Sequence, residues 1–158
     1  MPYQNILVTL DGSKLSETAL QHAVQIAAPD ARIHILSVIS EGPTTEVASL
    51  TSAMAYHVQN EQWPYTSEKR DLHDAHAREK YLREVSEWLE PGGYHVTLEA
   101  RAGNVIETIL EVSRRGFDAI VMATHGHTGA TKAVLGSVTE AVLQQAPCAV
   151  LIVPAKNL

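Results

Sequence analysis

Ile6-Leu7-Val8-Thr9-Leu10-Asp11-Gly12-Ser13 is the stretch on which the fold turns. Its first five residues form a short apolar run, and Asp11-Gly12-Ser13 closes that run with turn formers. The stretch therefore reads as a buried strand entering a turn. From Ser16 to about Ala28 the residues Ala19, Leu20, Ala23, Val24, Ile26 and Ala27 recur at helical spacing. Pro29-Asp30 is expected to stop that helix. A second strand follows at Ile33-His34-Ile35-Leu36-Ser37-Val38-Ile39. Strand, helix and strand in this succession make a βαβ unit, which favours a parallel sheet.

The same alternation continues down the chain. Glu41 to Thr45 reads as a loop, and residues 41–70 as a polar excursion from the sheet with weak periodicity. Helical patterning runs from about Ser67 to Leu89 and ends at Pro91-Gly92-Gly93. Tyr94–Ala100 alternates as a third strand. Gly103-Asn104 leads into a helix carrying Val105, Ile106, Ile109, Leu110 and Val112, which ends at Arg115-Gly116. Ala119–Ala123 is apolar throughout, as expected of a strand covered on both faces. A loop rich in Gly, Thr and His precedes a helix from about Val138 to Gln144, and Cys148–Val153 is the fifth strand. The expectation is an α/β fold: one doubly wound open sheet of five parallel strands with helices on both faces. Ligands on such sheets bind outside the carboxyl ends of the strands, where strand order reverses.

A chain of 158 residues fits one domain, residues 1–158. A domain of that size buries about 70% of its unfolded surface and stands without disulfides. Hydrophobic residues make up 45% but aromatics only 5%, so Ala, Val, Leu and Ile must build the core. The formal net charge of −6 argues against a general nucleic-acid binder and against a polybasic membrane-surface protein. Cys148 is the one cysteine, which excludes an internal disulfide and any multi-thiolate zinc site. Met1-Pro2-Tyr3-Gln4-Asn5 lacks the start of a secretory leader, and no apolar run approaches the roughly 20 residues of a spanning helix. No membrane association and a cytoplasmic location are expected.

Two loops lie where a ligand would bind, one after the first strand with Asp11 and one after the fourth. Gly136-Ser137 stands just before a helix, whose free N–H groups can hold an anion without Lys or Arg. Ser137 also has Glu140 three residues on, so it equally fits a simple capping box. Asp11 can accept from hydroxyls or an exocyclic amine, or simply shape a turn. The P-loop and the G-x-G-x-x-G dinucleotide fingerprint are both absent. His125-x-His127 and His73-x-x-His76 are weak metal pairs without a third ligand, and no metal site is expected. Cys148 reads as a buried small hydrophobe, and Trp63 and Trp88 as packing anchors.

Several stretches together resemble the universal stress protein family. They are Ile6–Ser13, Val121-Met122-Ala123-Thr124-His125-Gly126, Leu135-Gly136-Ser137-Val138-Thr139-Glu140 and the ending Ala146–Pro154. The likeness spans nearly the whole chain outside the excursion, and it implies the adenine-nucleotide alpha-hydrolase-like form of the sheet. The nucleotide-binding branch of that family carries Gly, two residues, Gly, nine residues, Gly and Ser or Thr. Here Gly126 is the second glycine, nine residues separate it from Gly136-Ser137, and Ala123 stands where the first glycine would be. The resemblance implies that Asp11 holds the nucleoside end, with Thr9, Leu10 and Val38 lining the adenine pocket. It places Met122, Ala123, His125 and Gly126 along the ribose and α-phosphate. Gly136, Ser137, Val138 and Thr139 would take the outer phosphates.

The function so implied is an adenine-nucleotide-binding stress-response or signalling protein without rapid turnover, holding ATP or AMP, with Mg as an optional companion. Homodimers are common in the family, and an apolar fifth strand at a sheet edge is a natural pairing surface. Two alternatives are a slow ATPase or adenylyl-transferring enzyme and a scaffold that binds no nucleotide. Asp11 and His127 are the polar candidates for turnover chemistry, and Ala123 is the feature that favours the scaffold.

Overall fold

The computed structural model describes residues 1–40, 75–124 and 135–154. The polar excursion, the loop from His125 to Val134, Trp63, His73 and His127 lie outside the described residues. The elements run β1 (Tyr3–Thr9), α1 (Lys14–Ile26), β2 (Ala27–Ser40), α2 (Ala75–Ser86), β3 (His95–Gly103), α3 (Val105–Ser113), β4 (Ala119–Thr124), α4 (Ser137–Gln145) and β5 (Ala149–Pro154). A short 3-10 turn, Glu90–Gly92, joins α2 to β3.

The five strands form one sheet in the order β3-β2-β1-β4-β5, and every pairing is parallel. The chain thus winds outward from β1 through β2 to β3, then returns to lay β4 on the other side of β1. The order reverses between β1 and β4, which defines the crevice where ligands bind in open α/β sheets.

Burial explains why β1 and β4 are the central strands. Ile6, Leu7, Val8, Ile120 and Val121 have no exposed surface, because helices cover both faces. One layer packs Ile6, Val8, Ile33, Ile35 and Val121 against Ala19, Leu20 and Ala23 of α1 and Tyr81, Leu82 and Val85 of α2. The other packs Leu7, Leu36, Ile120 and Met122 against Ile109 and Val112 of α3 and Val142 of α4.

Three details differ from the sequence expectation. β2 starts at Ala27, well before Ile33, and α1 ends at Ile26. Pro29 cannot continue a helix, but it tolerates extended backbone. Asp30 takes a left-handed φ of 59°. The register against β1 jumps there, with Tyr3 opposite Ala27 but Asn5 opposite Arg32, so the strand bulges instead of breaking. Second, Trp88 is 59% exposed and is no packing anchor; Leu89 beside it is the buried residue. Trp88 follows the end of α2, where the chain unwinds and turns a different side outward. Third, Cys148 is only half-buried, packed at the margin of the α3–α4 layer, and burial pushes its thiol pKa up.

Candidate functional site

Leu10-Asp11-Gly12-Ser13 carries the chain from the carboxyl end of β1 into α1. Gly12 has φ 88°, a conformation other residues rarely adopt, which makes the tight turn possible. Asp11 Oδ1 accepts a hydrogen bond from the Ser13 N–H at 2.9 Å. Ser13 is the N-cap of α1, its Oγ accepting from the Ser16 N–H at 3.1 Å. Ser16 Oγ donates to the Ser13 carbonyl at 2.8 Å and accepts from the Asp11 N–H at 3.3 Å. Asp11 therefore does shape the turn, while its residue surface stays exposed at the strand end.

The opposite wall begins at β4. Met122 is buried, Ala123 half-buried and Thr124 buried. Gly136 donates its N–H to Thr124 Oγ1 at 3.4 Å, which ties the start of α4 to the end of β4. Gly136 is the N-cap of α4 and offers no side chain to the helix start. The capping-box reading of Ser137 is thereby corrected. Ser137 is already the first helical residue, because Gly136 has the extended backbone, φ −62° and ψ 154°, of an N-cap. Glu140 N–H bonds the Gly136 carbonyl at 2.9 Å, closing the first turn. Gly136 and Ser137 are exposed, Val138 half-buried and Thr139 buried. Thr9 and Val38 are half-buried, and Leu10 is buried at the ends of the neighbouring strands. His125 and Gly126 lie outside the described residues.

The structure thus brings Thr9, Leu10, Asp11, Met122, Ala123, Gly136, Ser137, Val138 and Thr139 to the ends of β1 and β4, with Val38 at the end of β2 beside them. One strand end carries the Asp11 carboxylate, and the other carries a helix start with partial positive charge and the hydroxyls of Ser137 and Thr139. That arrangement suits a ligand with hydrogen-bond donors at one end and anionic groups at the other. Among the described residues no group of three or more His, Cys, Asp or Glu could hold a metal. No helix among them is long and apolar enough to cross a membrane.

Sequence reading missed the polar network beneath Asp11. Arg78 of α2 is 7% exposed and donates from Nη1 to Ser37 Oγ at 2.7 Å. Ser37 in turn donates to the Leu10 carbonyl at 2.6 Å. Tyr81 donates to Glu17 Oε1 at 3.3 Å, and both residues are buried. Burial, with the Glu17 charge adding to it, pushes the Tyr81 phenol well above its ordinary pKa. A signal for Arg78 did exist. It is spaced with Tyr81, Leu82 and Val85 on the apolar stripe of α2, where a solvated charge would not be placed.

Sheet order, an acidic turn after β1 and a glycine-capped helix after β4 define a doubly wound α/β protein whose strand order reverses between β1 and β4. The model of the universal stress protein family matches residues 2–154, and the chain belongs to that family. Universal stress protein MJ0531 of Methanocaldococcus jannaschii is 31% identical over 153 residues, which cover 96% of this chain and 82% of that protein. Universal stress protein MJ0577 of the same organism is 29% identical over 159 residues, covering 98% and 97% of the two chains. The solved structure of MJ0577 superposes with a TM-score of 0.69 at 27% identity, covering all of both chains. A universal stress protein solved in complex with cAMP shares the fold, with a TM-score of 0.65 at 22% identity over 97% of this chain and 98% of that one.

Proposed function

We propose that this universal stress protein binds an adenine nucleotide, ATP or AMP, between β1 and β4, and acts as a stress-response sensor or regulator without rapid turnover. The observation that carries the reading is the start of α4. Gly136 caps it without a side chain, at the end of β4 and across from the Asp11 turn. An anion meets backbone N–H groups there, with the Ser137 and Thr139 hydroxyls on the same turn. The nucleoside end meets Asp11, with Thr9, Leu10 and Val38 around the base and Met122, Ala123, His125 and Gly126 along the ribose and α-phosphate. Support comes from the family membership and from the relative of the same fold solved with cAMP. Magnesium is an optional companion of the bound nucleotide.

Titration of the purified chain with a fluorescent ATP analogue tests the reading, with saturable binding expected and displacement by unlabelled ATP or AMP. Absence of saturable binding overturns it. Release of inorganic phosphate from ATP is expected to stay at buffer level; turnover would move the chain to the slow-ATPase alternative. The same reading includes a homodimer formed through β5, an edge strand whose Val150, Leu151 and Ile152 are half-buried. Light scattering is expected to give twice 17.2 kDa, and a monomer mass overturns that part.

A further inference from the structure

The peptide plane between Leu10 and Asp11 is held on both sides. Its carbonyl accepts from Ser37 Oγ at 2.6 Å, and its N–H, that of Asp11, donates to Ser16 Oγ at 3.3 Å. Leu10 N–H is also engaged, with the Leu36 carbonyl at 2.9 Å. Ser37 is fully buried in β2, and its single proton is used on Leu10. Its oxygen is free to accept, and Arg78 supplies that bond at 2.7 Å from α2, a helix 41 residues further along the chain. A buried guanidinium stays charged and directs its donors in a fixed fork.

We propose that Arg78 is a positioning residue for the nucleoside end of the site, acting through Ser37 on the Leu10–Asp11 peptide plane so that the Asp11 carboxylate meets the ligand in one orientation. This rests on the nucleotide reading above. The chain of bonds runs Arg78 to Ser37 to the Leu10 carbonyl, and rotation of that plane would turn φ of Asp11 directly. Electrostatics agree with the placement: burial lowers the Arg78 pKa, and the Asp11 charge acts against it, so the two groups sense each other. Arg78 touches no ligand in this scheme. Its effect is on where Asp11 points.

The test uses the full chain, with ATP, adenosine and inorganic triphosphate as competing probes against the fluorescent ATP analogue. Arg78→Met keeps the packing of the stem and removes the charge and its donors. It is expected to weaken ATP and adenosine in the same proportion, about tenfold, the size of one charge-assisted hydrogen bond. Inorganic triphosphate should be unaffected, which a general loss of structure would not spare. Arg78→Lys should recover most of the affinity. The Asp11→Asn and Arg78→Met effects on ATP should be strongly non-additive, because both act through one carboxylate. Should Arg78→Met fail to fold, Ser37→Ala removes the relay hydroxyl and carries the same comparison. Wild-type affinity in Arg78→Met or Ser37→Ala, or additive effects with Asp11→Asn, overturns this inference alone. A wild-type chain that binds none of the probes overturns the nucleotide reading and this inference with it.

Discussion

Gly136 offers the sharpest perturbation, because the fold does not need a glycine there. Its φ of −62° and ψ of 154° are open to any L residue. A Cβ built on it has Thr124 Oγ1, at 3.9 Å, as its nearest described neighbour, an ordinary contact. Gly136→Ala should therefore leave the apo protein almost unchanged. Alanine is the poorer N-cap by up to about 1 kcal/mol. It recovers about 0.4–1 kcal/mol by restricting the unfolded chain. The net effect is a shift in Tm of less than about 3 °C for a domain of this size. The ligand is affected differently. A methyl group at the helix start keeps an anion from the backbone N–H groups, and each charge-assisted hydrogen bond lost is worth about 1.5–3 kcal/mol. Affinity for ATP should fall about ten- to a hundredfold, and Gly136→Val should abolish it. Thermal unfolding without ligand and titration with the fluorescent analogue read the two effects separately. Unchanged affinity in both variants would refute the assignment of phosphate to the start of α4.

Other predictions follow from single contacts. Asp11→Asn keeps the acceptor for the Ser13 N–H but removes the charge that supports buried Arg78, so Tm should fall modestly while nucleotide affinity drops about tenfold, as for one hydrogen bond to a charged group. Ser13→Ala removes the cap of α1 and should cost about 1 kcal/mol in a urea titration. Tyr81 must keep its proton in the folded state above the pH, about 10, at which an unfolded tyrosine ionises. Stability should therefore fall with rising pH beyond that point by about 1.4 kcal/mol per pH unit, and Tyr81→Phe should remove that component of the alkaline slope. Burial raises the Glu99 carboxyl, but Arg115 and His34 together hold it below its usual value. The stability gap between wild type and Glu99→Gln should persist near neutrality and close as pH falls through the Glu99 pKa, as read by acid titration of the unfolding midpoint.

Much of the fold was legible because the relevant signals are local. Ile6–Leu10 and Ala119–Ala123 are unbroken apolar runs, and such runs in an α/β chain become central strands. Residues 27–32 were misread because Pro29-Asp30 carries the same local signal for a helix stop and for a bulge. Only pairing with Tyr3 and Asn5 decides between them. At the site, the places of Asp11 and Gly136 followed from strand ends and turn chemistry. Ser137 was ambiguous, since a capping box and an uncapped helix start share one spacing, and the backbone of Gly136 resolves it. The burial of Arg78 left a trace in the α2 stripe, but its bond to Ser37 was out of reach because it joins α2 to β2, and nothing in either segment alone announces the other.

The two margins of the sheet are chemically unlike. Along β3, Glu99 meets His34 and Arg115, and Arg101 grips Glu111 with two parallel bonds of 3.1 Å. Along β5 the side chains are Val150, Leu151 and Ile152. A sheet with two sticky margins could grow without limit, copy after copy. Here the side chains along one margin are charged and held in ion pairs, a polar edge of the kind that discourages strand addition. Two copies joined through β5, as proposed, would turn their charged β3 margins outward. In the proposed dimer, the asymmetry of a single sheet would then favour stopping at the pair over adding further copies.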